Sequence, residues 1–454
     1  MELLSPAGSL QKLQYAIYFG ADAVYCSGKD FGLRAKSTNL SDEELEEAVK
    51  FCHSQNKKIF VTVNIFAQNS DLKKIKNFLL FLEQIKIDAV IISDPGIFAL
   101  AKENAPQIPI HVSTQANVTS WKTAEFWLKQ GAKRIISARE LSITEIKEIK
   151  QRVPEIELEM FVHGAMCMSY SGRCLLSSYL NDRSANRGNC TQPCRWKYAL
   201  TEETRPGQFF PIEEDEHGTY ILNSKDLCLF DRLEEIKDAG IDSIKIEGRM
   251  KSMYYVANLT RIYREALDLI EEGQIPSNDL NAELDKVSHR IYSEAFFDQF
   301  DSSYTQNYDS SSYIRNYQFI GEIADVTDSF LEINCKAKFS VGEEIEIIFP
   351  DRKSDISILV KSIYNEENEP IDSSKPNTVA KINLQGFKNL FKNLQGFKNL
   401  EGLDHGIVRK RICNPIVPMG NMDKNDFPAE QKKEDHRDGG DTEIFHRDSS
   451  DTKL

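Results

Sequence analysis

The sequence predicts an α/β fold: a TIM-like barrel, followed by a small C-terminal β-barrel domain and a disordered tail. Three patterns carry this expectation. From the first residue to about 272, short apolar runs alternate with amphipathic helix patterns; eight or nine such strands with intervening helices imply parallel β-structure closed into a barrel. After Tyr317, short strand patterns follow one another separated only by turns, as in a small all-β module. From Asn421 onward the chain is charged, polar and poor in aliphatics, the composition of a segment that cannot bury a core. The expected units are therefore 1–272, a connector over 273–316, a β-domain over 317–415 and a tail over 421–454.

In chain order, ELLSPAG leads into SLQKLQYAIYFGA and DAVYCSG, EELEEAVKFCHSQNKK into IFVTVNIF, and LKKIKNFLLFLEQIKI into DAVIISDPG. The alternation continues through IPIHVSTQAN, KRIISAREL, IELEMFVHG, TYILNSKD and SIKIEGR. Ser41 with Glu44 and Ser142 with Glu145 have capping-box spacing, and acidic residues in the first turn suit the helix dipole. Gly20, Gly131 and Gly240 are expected to close helices before the next strand. Asn258 to Glu272 reads as the last barrel helix. The polar, Gly/Pro-containing EETRPGQFFPIEEDEHG reads as a hairpin or lid, or as a plain surface insertion. In the second unit FIGEIADVT, FLEINCKAKF, EEIEIIFP, SDISILVKSIY and KINLQ are the strands. NLQGFKNL, at Asn383 and again at Asn393, is a local duplication too short and too few for a solenoid.

Length and composition narrow the partners. The 454 residues, 41% of them hydrophobic, suffice for a full core, and no apolar run is long enough for a bilayer. The opening MELLSPAG has neither a basic nor a long apolar leader region, so a reduced, cytoplasmic setting is expected. With a formal charge of −14 the chain has no global attraction for nucleic acid, so RNA contact must use local patches: Arg195 with Lys197, Arg249 with Lys251, or Arg409, Lys410 and Arg411. Each such cluster is more often a solvated surface feature than an RNA site.

If the barrel forms, chemistry belongs at the C-terminal ends of its strands. The residues there are polar: Asn64, Ser93, Asp94, Ser113, Gln115, Arg139, Glu140, His163, Asn223, Lys225, Glu247 and Arg249. The same end receives Cys167 and Cys228. Four of the nine cysteines fall between Phe161 and Trp196, with six residues between Cys167 and Cys174, fifteen between Cys174 and Cys190, and three between Cys190 and Cys194. Cys26, Cys52, Cys335 and Cys413 lie in apolar runs and read as core filler. The clustered cysteines instead lie among Gly, Ser, Asn and Arg, which suits ligands of a soft metal. The irregular spacing favours iron–sulfur over zinc, whose structural sites use paired short knuckles.

FVHGAMCMSYSGRCLLSSYLNDRSANRGNCTQPCRWKY, YILNSKDLC and SIKIEGRMKS together resemble the U32 peptidase (collagenase-like) family, in the branch that makes 5-hydroxyuridine at the tRNA wobble position. The likeness spans roughly Met1 to Glu272. It implies a 4Fe-4S cluster on Cys167, Cys174, Cys190 and Cys228, with Cys194 either a spare thiol or a replacement for one of them. It also implies prephenate as co-substrate and a tRNA uridine as target. The dicarboxylate calls for guanidinium forks, for which Arg139, Arg173 and Arg249 are candidates. The expected site is thus His163, Arg139, Arg249 and Glu247 for catalysis, with Asn64, Gln115, Arg173 and Lys225 binding substrate. The family's older name points to a peptidase, for which His163, Glu159, Ser169, Ser171 and Cys167 could be imagined; neither the G-x-S-x-G nor the H-E-x-x-H signature occurs. A scaffold with a structural metal is a third reading, disfavoured by the polar ring at the strand ends.

Overall fold

The structure is a computed structural model, described here for residues 1–32, 39–166, 200–201, 209–210, 213–215, 218–220, 225–298, 313–327, 329–383 and 405–416. Eight parallel strands close the barrel: β1 (Glu2–Pro6), β2 (Ala23–Cys26), β3 (Lys58–Val63), β4 (Ala89–Ile92), β5 (Ile110–Val112), β6 (Arg134–Ile136), β7 (Glu157–Ala165) and, on its return, the strand Ser243–Ile246. The last pairs with both β1 and β7, which completes the ring. Between β7 and that strand lie two small antiparallel pairs, β8 (Leu200–Thr201) with β9 (Phe209–Phe210) and β10 (Glu213–Asp215) with β11 (Gly218–Tyr220), in the stretch expected to form a hairpin or lid. The strand β12 (Asp226–Cys228) then runs antiparallel to the upper part of β7, so Ser243–Ile246 is β13.

The helices alternate with the strands as the apolar periodicity requires: α1 (Leu10–Tyr18), α2 (Asp42–Ser54), α3 (Leu72–Gln84), α4 (Pro95–Asn104), α5 (Trp121–Gln130), α6 (Ile143–Arg152), α7 (Leu233–Asp238) and α8 (Met253–Glu271). Both capping boxes form, Ser41 with Glu44 and Ser142 with Glu145, satisfying main-chain donors that the first turn leaves open. Gly131 closes α5 in the left-handed region at φ 95°. Asp94 caps α4 by accepting from the amides of Gly96 and Ile97, so this strand-end carboxylate serves the helix rather than the barrel mouth. Among the described residues no helix is long and apolar enough to cross a membrane.

Helix α8 begins five residues before the expected start, and fourteen of its nineteen residues are buried, because it packs on two sides. One side meets the barrel, where Thr260 bonds Ser5 at 2.7 Å. The other meets an eight-stranded antiparallel half-barrel, in the order β18 (Ile356–Leu359), β17 (Glu344–Ile348), β22 (Ile407–Ile416), β15 (Arg315–Val326), β16 (Phe330–Cys335), β21 (Val379–Asn383), β19 (Ile363–Tyr364) and β20 (Pro370–Ile371). The region between holds α9 (Asn278–Leu284) and β14 (Tyr292–Ser293), which pairs with β12.

The joint between barrel and half-barrel is ionic. Arg409, 1% exposed, bonds both oxygens of Glu283, at 2.9 and 3.1 Å, and also meets Glu346, Tyr254 and Asn258. Arg261 joins Glu283 to Asp355. This corrects the expected basic surface patch: Arg409 is a core cation and Lys410 is paired with Glu343. The repeated NLQGFKNL beyond Asn383, the tail over 421–454, Arg195 and Lys197 lie outside the described residues.

Candidate active site at the barrel mouth

The lumen is filled by alternate residues of each strand, and its lower part is charged. Glu159, fully buried, accepts from Arg134 at 3.0 Å and from Lys245 at 2.9 Å; Arg134 also reaches Glu2 and Glu157. Paired in this way, the ions avoid the large cost of isolated buried charge. His111 packs edge-on to Phe60, and burial followed by the nearby Arg134 and Lys245 charges holds its pKa well below the usual imidazole value.

Above this network the lumen becomes aromatic, then polar. The Lys245 ammonium lies 4.1 Å from the Tyr25 ring centre, and the Tyr25 hydroxyl donates to Glu247 Oε2 at 3.1 Å and to the Ile246 carbonyl. Burial, then the Glu247 charge, keeps Tyr25 protonated. Arg249 is 5% exposed and donates to Thr62 at 3.1 Å, while Thr62 donates to the Cys26 carbonyl. Gly8 is required here, since a Cβ would fall 2.2 Å from the Arg249 carbonyl oxygen.

On the facing wall, Arg139 lies over Phe161, with its guanidinium carbon 4.0 Å from the ring centre, and donates through Nη1 to the Ala165 carbonyl at 2.7 Å. Its Nε–H has no partner among the described residues, and Arg139 forms no ion pair there. Glu140 beside it is pushed toward its neutral form by burial. Asn64 donates to Gln115 at 3.2 Å, Ser113 also bonds Gln115, and Ser93 donates to the Asn64 carbonyl. Arg139, Arg249, Glu247, Asn64 and Gln115 thus all end at the C-terminal face, as the strand-end pattern predicts.

His163 does not join them. Lys245 faces Phe161 but Ile246 faces His163, so β7 carries an extra residue at this point. The bulge takes His163 out of the lumen series of Glu159 and Phe161 and sets it against Tyr263 and Tyr255 of α8 and against Tyr292. Its Nδ1 lies 3.1 Å from the Tyr263 hydroxyl, and burial depresses its pKa to about 3. Glu159 is committed to Arg134 and Lys245, so the His163–Glu159 pairing imagined for a hydrolase does not form.

Lys225 stands where the chain returns to the sheet, and Cys228 follows on β12 opposite His163, half-buried, with burial pushing its thiol up to about 12. Cys167, Arg173, Cys174, Cys190, Cys194 and Asn223 lie outside the described residues. Among the described cysteines Cys26, Cys52 and Cys335 are buried, as expected of core filler. The lumen network and the bulge were not visible in the sequence; only the charged positions inside ELEMF and SIKI hinted at a polar interior.

Residues 8–307 match the model of peptidase family U32, and residues 315–394 match that family's C-terminal domain. The chain is 38% identical over 418 residues to tRNA hydroxylation protein P of Haemophilus influenzae, covering 82% of this chain and 90% of the relative. It is 35% identical over 389 residues to tRNA hydroxylation protein P1 of Bacillus subtilis, covering 84% and 92%. Over 272 residues it is 39% identical to the 23S rRNA 5-hydroxycytidine C2501 synthase of Escherichia coli, covering 60% of this chain and 40% of that protein. With both parts of the fold matched in order, the chain belongs to peptidase family U32.

Proposed function

We propose that this chain is an RNA-modifying hydroxylase that converts the wobble uridine of tRNA to 5-hydroxyuridine, with prephenate as co-substrate. The observation that carries the reading is the near full-length likeness to proteins named for tRNA hydroxylation. The mouth supports it chemically. Arg139, held over Phe161 and by one main-chain bond, carries a buried Nε–H with no partner among the described residues, a donor that suits a carboxylate. Arg249 adds a second buried cation across the lumen, and Asn64 with Gln115 offers amides suited to the edge of a pyrimidine. Glu247, ordered by the Tyr25 hydroxyl, is the carboxylate best disposed to accept a proton at the mouth.

A 4Fe-4S cluster held by Cys167, Cys174, Cys190 and Cys228 is part of this proposal. Both ends of the segment carrying the first three cysteines leave from one ladder, where Ala165 faces Asp226, and Cys228 lies two residues inside it. When bound, such a cluster would supply one-electron redox chemistry.

The test is mass analysis of tRNA nucleosides from cells lacking the protein. Loss of 5-hydroxyuridine, restored by the wild type but not by Cys174→Ala, is the expected result; unchanged 5-hydroxyuridine sinks the proposal. Cys174→Ala should also lose the broad absorption near ~400 nm of the anaerobically purified protein.

A further inference from the structure

The bulge in β7 turns His163 out of the lumen toward α8, and the hydrogen bonds it meets there have a direction. Cys228 lies directly opposite His163 in the antiparallel ladder of β7 and β12, so the two side chains project from the same side of the sheet. The Tyr263 hydroxyl, from α8, lies 3.1 Å from His163 Nδ1 and donates to the Val162 carbonyl at 3.2 Å. It is also a hydrogen-bond partner of the Cys228 side chain. The group is enclosed: His163 and Tyr263 are buried, with Tyr255, Tyr292 and Phe230 packed edge-on around them.

A phenol has one proton to give. With that proton on the Val162 carbonyl, His163 Nδ1 must face the phenol oxygen as a donor, and this pattern assigns the tautomer: Nδ1 carries hydrogen and Nε2 does not. The buried Nε2 meets no hydrogen-bond partner among the described residues, so the ring is anchored by its Nδ1 side alone. The Val162 carbonyl does not depend on the hydroxyl, because it already accepts from the Leu229 amide at 2.9 Å. A cysteine sulfur that ligates iron has lost its proton and can only accept, and a bond to such a charged acceptor is stronger than one to a neutral carbonyl. The phenol proton can therefore leave Val162 for the sulfur at little cost.

We propose that His163 and Tyr263 are positioning residues for Cys228: a hydrogen-bond chain runs from the imidazole Nδ1–H through the phenol O–H to the sulfur when Cys228 serves as a ligand. This rests on the cluster reading above and adds to it the two groups that tune the cluster from outside its ligand set. It also gives the β7 bulge a purpose, since without the extra residue His163 would point into the lumen, away from Tyr263.

The experiment is a redox titration of the anaerobically purified full-length holoprotein, followed by visible absorption and by the paramagnetic resonance of the reduced cluster. Wild type is compared with Tyr263→Phe, His163→Phe and the double variant, with iron content, sulfide content and thermal melt measured alongside. A hydrogen bond to a ligating sulfur favours the more negative, reduced form, so Tyr263→Phe should load as wild type and shift the midpoint potential to a more negative value. His163→Phe should shift it the same way by less, and should add nothing in the Tyr263→Phe background, because the imidazole acts only through the phenol. A purely structural pair would lower the melt and leave the potential where it was. An unchanged potential in a loaded Tyr263→Phe protein overturns the proposal and leaves the cluster reading intact; so does a His163→Phe shift that persists without the hydroxyl. If Tyr263→Phe fails to load, His163→Phe decides, and an unshifted potential there overturns the chain. A wild type without iron refutes the cluster reading and this inference together. The expected shifts beside unchanged nucleosides in deleted cells defeat the hydroxylase reading alone.

Discussion

Replacing Glu283 by Gln tests the ionic joint between barrel and half-barrel. In the folded chain this carboxyl is held at about 2: burial favours its neutral form, but the hydrogen bonds and charge of Arg409, aided by Lys286 and Arg261, overcome it. Against an ordinary value of 4.5, the depression corresponds to about 3 kcal/mol of stability at neutral pH. Because the folded pKa lies below the unfolded one, that contribution is complete above 4.5 and declines by about 1.4 kcal/mol per unit as pH falls toward 2. Glu283→Gln leaves Arg409 and Arg261 buried beside a neutral amide, and breaking such a pair costs about 3–5 kcal/mol. Urea denaturation at pH 7 and at pH 3.5 measures it. The gap between wild type and variant should be large at pH 7 and narrower by roughly 1.4 kcal/mol at pH 3.5. A gap below ~1 kcal/mol at pH 7, or one that does not change with pH, would show that the network contributes nothing beyond a surface pair.

The other expectations concern the lumen and its rim. Gly8→Ala sets a methyl 2.2 Å from the Arg249 carbonyl, so it should lower the melting temperature and displace Arg249; an unchanged melt counts against the close approach. His111 is buried and hard to protonate, so the unfolded state gains a proton first and stability falls as pH drops below 6.5. His111→Phe should flatten that decline between pH 7 and 5, and an equally steep decline in the variant would refute the assignment. Under the proposed function, Arg139→Lys keeps the charge but loses the contact with Phe161 and the fork, so it should raise the prephenate concentration needed for half-maximal hydroxylation more than it lowers the maximal rate; the reverse would place Arg139 in the chemical step rather than in binding.

Local signals in the chain were strong and long-range ones weak. Ser41, Ser142 and Gly131 act within one helical turn of themselves, so their spacing alone revealed helix ends that the structure repeats. The mouth residues were legible for a similar reason, because polarity after an apolar run marks a strand end whatever the strand order. Charge pairing was not. Glu159 and Lys245 are 86 residues apart, and Arg409 and Glu283 126 apart; no local pattern says that such ions share a pocket, so Arg409 read as a surface cation. The β7 bulge is a single extra residue in an unbroken apolar run, and it alone decides on which side of the barrel wall His163 lies. Asp94 followed the strand-end rule in position but is a helix cap in use, since its short carboxylate finds two amides before it can reach the lumen.

The position of β22 bears on how the protein is made. Among the described residues it is the last strand, yet it lies in the middle of its sheet, between β17 and β15. A nascent chain therefore carries two half-sheets with raw edges until residues 407–416 leave the ribosome. Premature termination shortly upstream of Ile407 should yield a product whose barrel has folded while its second module adheres to neighbouring chains, and that product should depend on chaperones far more than its small deletion suggests.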